Sequence, residues 1–538
     1  MVNMKKRVLF AVVLVALSFG VSRMEWGALA LWPSVVAIVS VVLLRSALSG
    51  LLIGAATGGI LLAEGNPVLA FTQFFSEHLL PALGSEWNIS VLIFTMLLGG
   101  FAALLERGHG FEAILQTWLA KGKRSDERVQ WSAYLMGLVC FFDGLASSLL
   151  TGKSIRPLAD RVGVSRAKLA YIVDSTSSAV ACVAIMSTWI AYQLSMIREG
   201  YAQAGIEGVQ PFSIFLSSIP RNFYCWFTLL LLAVVIRKGW NPGPMAKLEE
   251  KARDQSASST RNSEDGLKVE SQAAWRVVIP LLTLIFSLFV GLYWNGVEGD
   301  FWPILPSKLK QAYGDAQSNL VLLYSTTLAC LVAFACNYRA IAKSKSVPSS
   351  VFLDGVQRFF APCLVLIAAW CLSSTLGKLE ASAYLTSVLS GTLPVQFFPL
   401  VVFLLGVLIS FTTGTSWGTM GVLMPLALPV AFSLAPGSES LVASVVAAVF
   451  SGAVFGDHCS PLSDTTIVSS MACDLEPFDH VRTQLPYAVT TACLASILGF
   501  LPLGMGVSPW VCLLAGGVLI LFLPAIHRKL FPTTNSHG

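Results

Sequence analysis

Residues 449–470 read VFSGAVFGDHCSPLSDTTIVSS, an apolar run that at membrane depth presents Gly456, Asp457, His458, Ser460, Pro461, Ser463, Asp464, Thr465 and Thr466. An ionised carboxylate is costly in hydrocarbon, so acids at that depth face a protein interior or an aqueous cavity and mark the path of an ion or solute. Pro461 has no amide proton and its ring crowds the preceding turn, which predicts an interrupted helix. Irregular backbone is tolerated there only when protein or water surrounds it. Freed carbonyls, hydroxyls and carboxylates then make a hard-oxygen cage suited to a small cation. The stretch therefore reads as half of a transport site.

Further candidates have the same character. GTSWGTMG, Gly414–Gly421, interleaves three glycines with Thr415, Ser416 and Thr419 and follows Thr412 and Thr413. Small residues at this spacing can serve close helix packing, but with Pro425 behind them they predict a hairpin tip exposing backbone and hydroxyls. Asp143 falls at a second predicted tip, as a helix cap or a site residue. Asp174 opens the DSTSS run at 174–178, read as an interruption in a span at 168–192. His458 lies beside Asp457 and Cys459, but consecutive residues on a helix point in different directions, so zinc is not implied; the imidazole is a proton carrier or a hydrogen-bonded structural group. His78, His109, His480, His527 and His537 receive no role, and Lys153, Arg156 and Arg161 read as topogenic charges.

The elements that must position these residues are transmembrane helices. Of the 538 residues 55% are hydrophobic and only 12% charged, and the mean hydropathy is +0.71; no soluble domain needs that composition. The net charge of +5 comes from Lys and Arg gathered in particular loops, a topology signal that does not imply nucleic acid. Eleven cysteines are scattered without a CxxC pair and read as small buried apolar residues. Lys5, Lys6 and Arg7 precede the apolar run 8–20 with no small-x-small cleavage site after it, which reads as a retained first helix.

Hydropathy and charge together predict an all-α polytopic membrane protein with about twelve crossings and two re-entrant hairpins, both termini cytoplasmic. Residues 1–87 and 276–358 are assigned to scaffold helices, 237–275 to a flexible cytoplasmic linker and 506–538 to a terminal helix and tail. Residues 88–236 hold a hairpin at about 130–160 and the broken helix 168–192; residues 359–505 hold a hairpin at about 395–430 and a broken helix at 440–470. Basic flanks put both ends of the first hairpin on the cytoplasmic side, and their scarcity puts the second outside. FFDG at 141–144 pairs with FTTG at 411–414, IRPL at 155–158 with LMPL at 423–426, and VDSTSS at 173–178 with GDHCSP at 456–461, setting Asp174 against Asp457 and Ser177 against Ser460. Two such copies of opposite orientation point to a secondary transporter with its site at the repeat interface.

FGDHCSPLSDTTIVSS at 455–470, FTTGTSWGTMGVLMPLALP at 411–429 and GKLEASAYL at 377–385 together resemble the NhaC family of sodium/proton antiporters, which also has malate/lactate-exchanger-like members. The resemblance implies a scaffold and a mobile transport domain of two hairpins and two broken helices, an elevator-like motion and a homodimer in the bacterial inner membrane. Carried over by position, Thr413, Gly414, Thr415 and Ser416 form the second tip, and Asp457, His458, Ser460, Asp464, Thr465 and Thr466 line the site from the broken helix. The repeat alignment adds Asp143, Ser147, Asp174, Thr176 and Ser177; the candidate sodium ligands are Asp457, Asp464, Asp174, Thr415 and Ser460. No cofactor is expected beyond sodium as coupling ion and a proton as counter-ion. The alternative cargo is a small organic solute, an amino acid or carboxylate, moved with sodium. An intramembrane aspartyl protease is disfavoured because Val454 stands where its GxGD string needs glycine.

Overall fold

The computed structural model describes residues 4–24, 27–120, 125–206, 209–258 and 271–530, and every regular element among them is helical. The first half begins with α1 (Met4–Val21), α2 (Trp32–Leu44) and α3 (Ala47–Leu62), followed after a short helical stretch by α4 (Glu86–Arg107) and the amphipathic α5 (Gly110–Ala120). A hairpin of α6 (Asp126–Val139) and α7 (Gly144–Val162) leads into α8 (Arg166–Val183) and α9 (Thr188–Gln203), then α10 (Phe223–Lys238). The connection carries α11 (Pro244–Ser258).

The second half repeats that order. It runs α12 (Trp275–Gly296), α13 (Ser318–Lys343), α14 (Pro348–Arg358), α15 (Phe360–Lys378) and the short amphipathic α16 (Ala381–Leu389). The hairpin of α17 (Phe398–Thr413) and α18 (Ser416–Leu434) precedes α19 (Glu439–Cys459) and α20 (Asp464–Ala472), with α21 (Pro477–Leu494) and α22 (Pro509–Leu530) closing the described chain. Among the described residues ten helices are long and apolar enough to cross a membrane, or up to twelve if each of two bent pairs is one span. The chain is a multi-pass membrane protein.

The halves exchange partners. In the outer frame α3 packs on α15 and α4 on α13; at the centre α7 packs on α20 and α18 on α9. Each hairpin thus leans on the short helix beyond the other half's break. The tightest seam joins α17 to α19, where a Cβ on Gly452 would lie 2.8 Å from the Phe403 carbonyl oxygen and one on Gly456 would lie 2.1 Å from the Ser410 backbone carbon. Only glycine lets the backbones approach so closely. Ser410 Oγ stitches the seam, donating to the Gly452 carbonyl at 2.7 Å and accepting from the Gly456 amide at 3.0 Å.

Two sequence expectations are corrected here. The first broken helix is not interrupted at 174–178: α8 runs through to Val183, the break falls at 184–187, and α8 and α9 are bent by 45°. The serine and threonine hydroxyls fold back on the helix instead of breaking it, Thr176 Oγ1 donating to the Ile172 carbonyl at 2.8 Å and Ser177 Oγ to that of Asp174 at 2.8 Å. The stretch 237–275 is also not flexible throughout. Its α11 packs on α7, α8 and α21, with Met245 buried and Glu249 Oε1 accepting the Ser165 amide at 2.8 Å at the start of α8. Residues 259–270 lie outside the described residues.

Candidate functional site

Four helices begin in the middle of the protein. Their N-caps are Asp143 for α7, Ser187 for α9, Thr415 for α18 and Ser463 for α20. A helix start leaves amide protons unpaired, and three of these caps satisfy one each: Asp143 accepts from Ala146 at 2.8 Å, Ser187 from Trp189 at 3.2 Å and Thr415 from Gly418 at 3.2 Å. A side-chain cap of this kind contributes about 1 kcal/mol. Ser463 is the exception. It has no capping bond and its Oγ donates to Asp457 Oδ1 at 2.7 Å.

All four breaks meet at one cavity of about 220 Å³. The first tip contributes Asp143, the second Gly414, Thr415, Ser416 and Trp417, the first broken helix Thr188 and Trp189, and the second Asp457, Asp464 and Thr465. Frame residues, among them Ala47, Phe359 and Val365, close the far wall. Gly414 has φ 69°, and a Cβ there would lie 2.5 Å from that of Leu462, so the tip can lie against the break only as glycine. The run of small residues divides at this point: Gly414 makes the tip, while Gly421 packs helix on helix, with the Tyr192 hydroxyl 2.5 Å from where its Cβ would be.

The two acids of the second break differ. Asp457 is only 4% exposed and anchored on both oxygens, by Ser463 and by Ser178 Oγ at 3.1 Å. Asp464 is exposed into the cavity, and no donor among the described residues pairs with its carboxylate. The carbonyls freed at the end of α19 are not left open, contrary to the expectation of a backbone cage. Thr465 and Thr466 hydroxyls donate to the Asp457 carbonyl at 3.0 and 2.9 Å, and Gln484 Nε2 donates to that of His458. Ser460 Oγ donates to the Phe411 carbonyl at 2.8 Å, tying the break to the hairpin, and Thr413 Oγ1 donates to Ile409 at 2.7 Å; neither residue lines the cavity.

Asp174 lies behind this wall. It is wholly buried and receives Gln484 Nε2 at 2.8 Å, Ser469 Oγ at 3.3 Å and Thr466 Oγ1 at 3.4 Å, with His480 Nε2 at 3.1 Å. Its pairing with Asp457 by sequence is out of register. Asp457 precedes the Ser463 cap by six residues, whereas Asp174 precedes the Ser187 cap by thirteen, two turns farther from its break. Thr176 and Ser177 are folded onto α8, and Ser147 is buried on α7 outside the cavity wall. His458 also points away from the cavity, its Nε2 2.8 Å from Ser175 Oγ and its Nδ1 2.7 Å from the Tyr224 hydroxyl. Among the described residues no cluster of His, Cys, Asp and Glu could hold a metal ion in the manner of zinc.

Sequence reasoning passed over several contributors. His480 was given no role, yet it is fully buried against Asp174; His78 is buried too, its Nδ1 2.8 Å from Ser374 Oγ. The available signal was periodic: His480, Thr483, Gln484, Tyr487 and Thr491 form a polar stripe at helical spacing along α21. Thr188, directly after the first break, was within reach as a flanking hydroxyl.

The sequence profile of the Na+/H+ antiporter family matches residues 180–505. An uncharacterised protein of Haemophilus influenzae is 31% identical over 92% of this chain and 95% of its own length. The malate-2H(+)/Na(+)-lactate antiporter of Bacillus subtilis is 30% identical over 35% of this chain and 39% of its own. Among solved structures, the YdaH transporter of Alcanivorax borkumensis superposes with a TM-score of 0.53 at 14% identity, covering 82% of this chain and 90% of that one, a likeness of fold. The matched stretch takes in the second hairpin and the second break with both of its acids, and the chain belongs to the Na+/H+ antiporter family of membrane transporters.

Proposed function

We propose that this transporter exchanges sodium for protons, the two competing for the carboxylates of Asp457 and Asp464. The observation that carries the reading is the convergence of four helix breaks on one small cavity, with both acids of the second break in its wall. An ionised pair coordinates sodium together with nearby oxygens such as Thr415 and Thr465; a protonated pair releases it. Asp143, at the opposite tip, is positioned to complete the oxygen shell from the other half. Asp174, crowded by donors from α20 and α21, serves to hold these elements in register.

The two halves are proposed to lie in opposite orientations in the inner membrane. Hairpins and broken helices would move together against the frame of α2–α4 and α12–α15, in alternating access.

A second reading has its own support. About 220 Å³ exceeds the space of a bare ion, and the positive ends of α7, α9, α18 and α20 converge on it, the arrangement that suits the carboxylate of a small organic solute. Against it, no Lys or Arg among the described residues lines the cavity, so a carboxylate would face Asp457 and Asp464 unless sodium came with it.

Reconstitution into proteoliposomes with a trapped pH dye tests the proposal. An imposed sodium gradient should drive proton movement without any organic solute. Proton flux that appears only when a solute such as malate, lactate or an amino acid is added would transfer the assignment to the second reading. Absence of sodium dependence in both conditions would end both.

A further inference from the structure

The ends of two frame helices enclose a groove of about 720 Å³, far from the cavity in sequence and built from Trp275 and Arg276 at the start of α12 and Phe334, Tyr338, Arg339 and Lys343 near the end of α13. Trp275 is the first residue of one membrane-spanning helix and Lys343 the last of another, so this rim lies at a membrane boundary. Among the described residues three cations line it and no acid does. None of the three is in an ion pair among the described residues. Basic residues at such a boundary commonly serve only to set topology, and that alone would leave them scattered.

Here they are graded along a slot. From Lys343 back to Phe334 the helix rises about 13 Å, and along α13 the lining changes from Lys343 and Arg339 through Tyr338 to Phe334, Ala335 and Cys336, with Trp275 and Arg276 contributed by the start of α12. The Arg276 guanidinium lies 5.9 Å from the Trp275 ring centre, which pre-orients it at the rim. A cationic rim, an aromatic collar and an apolar floor match a headgroup, glycerol backbone and acyl chain in that order.

We propose that this groove is a binding site for one anionic phospholipid, its phosphate held by Arg276, Arg339 and Lys343 and one acyl chain lying along α13 past Tyr338 and Phe334. The lipid would sit on the frame, not on the elements around the cavity, and would fasten the α12–α13 pair to its leaflet.

Native mass spectrometry of the purified full chain, titrated separately with phosphatidylglycerol, phosphatidylethanolamine and sodium phosphate, tests this. Phosphatidylglycerol should bind at least tenfold more tightly than phosphatidylethanolamine, and the R276Q/R339Q/K343Q variant should lose that preference while the exposed control Arg23→Gln keeps it. Ala335→Trp, which fills the slot without touching the charges, should weaken the anionic lipid at least fivefold. Equal binding of the two lipids, or a preference that the triple variant keeps within twofold, overturns the site. Displacement of the lipid by millimolar phosphate alone, with Ala335→Trp silent, would make it a phosphate site instead. A wild-type chain that binds weakly but gains tenfold in E264Q/D265Q/E270Q would show that the chain's own acids occupy the rim, and the proposal would fall.

Discussion

The two broken helices have the same outline and opposite interiors. In the second, Asp457 and Asp464 flank the break and both reach the cavity; in the first, the acid is two turns away, and Thr188 and Trp189 stand at the break. Asp174 meets a serine, a threonine, a glutamine and a histidine, while Asp464 meets no donor among the described residues. A buried charge with a full set of partners is costly to disturb and slow to change state, whereas one facing a cavity can trade water, ion and proton. On the proposed function, the second break carries the exchangeable chemistry while Asp174 holds α20 and α21 in register.

That contrast can be broken most directly at the acids. Asp457→Asn and Asp464→Asn should each cut sodium-driven proton flux by at least about a hundredfold, the effect of removing a required charge (~2.7 kcal/mol or more), with membrane insertion unchanged; near-normal flux in both would refute the division. Gly414→Ala comes next. The added Cβ collides with Leu462 and the residue keeps a left-handed φ, so flux should drop about tenfold, in line with strain of about 1–3 kcal/mol, and Leu462→Ala should restore part of it.

His480→Ala probes the other side of the comparison. Removing one hydrogen-bond partner of a buried polar group costs about 1–3 kcal/mol, so thermal unfolding in detergent should shift down while flux per folded molecule falls less than in Asp464→Asn. The reverse ordering would make Asp174 part of the exchanging site.

The smallest effect belongs to His78, outside the spans. Burial, with help from the Lys378 ammonium, pushes its imidazole down to about 4 from 6.5. It is therefore neutral when folded at neutral pH and costs nothing above pH 6.5. As pH falls from 6.5 toward 4 the unfolded chain takes up the proton first, so stability declines through that window. His78→Gln should flatten this acid limb in pH-dependent unfolding, leaving stability at pH 8 within measurement scatter.

Much of the architecture was legible because the residues that make it are chemically loud. Pro461 among acids and hydroxyls announced one break, and Gly414 between threonines announced a tip. The first break carries no such marker: Ala184–Ser187 contains neither glycine nor proline, and Ser187 shows itself as a cap only once the geometry is known. The polar DSTSS run drew attention instead, because sequence cannot tell a hydroxyl that competes with the helix from one folded onto it. The connection between halves misled for a related reason. Its composition is polar, yet Met245, Leu248 and Glu249 recur at helical spacing on one face, and Glu249 is buried because it caps α8 across space. Likewise His480 acquires its meaning from Asp174, 306 positions away, a pairing no local window contains.

The glycine seam between α17 and α19 has a mechanical consequence. Backbones that touch at Gly452 and Gly456, bolted by one serine, leave no slack for sliding, so the hairpin tip and the break that carries the acids are held as a single casting. On the proposed function, access from one side and then the other would come from a change in what this casting faces, and a single added methyl at Gly456 should jam assembly long before it could alter selectivity.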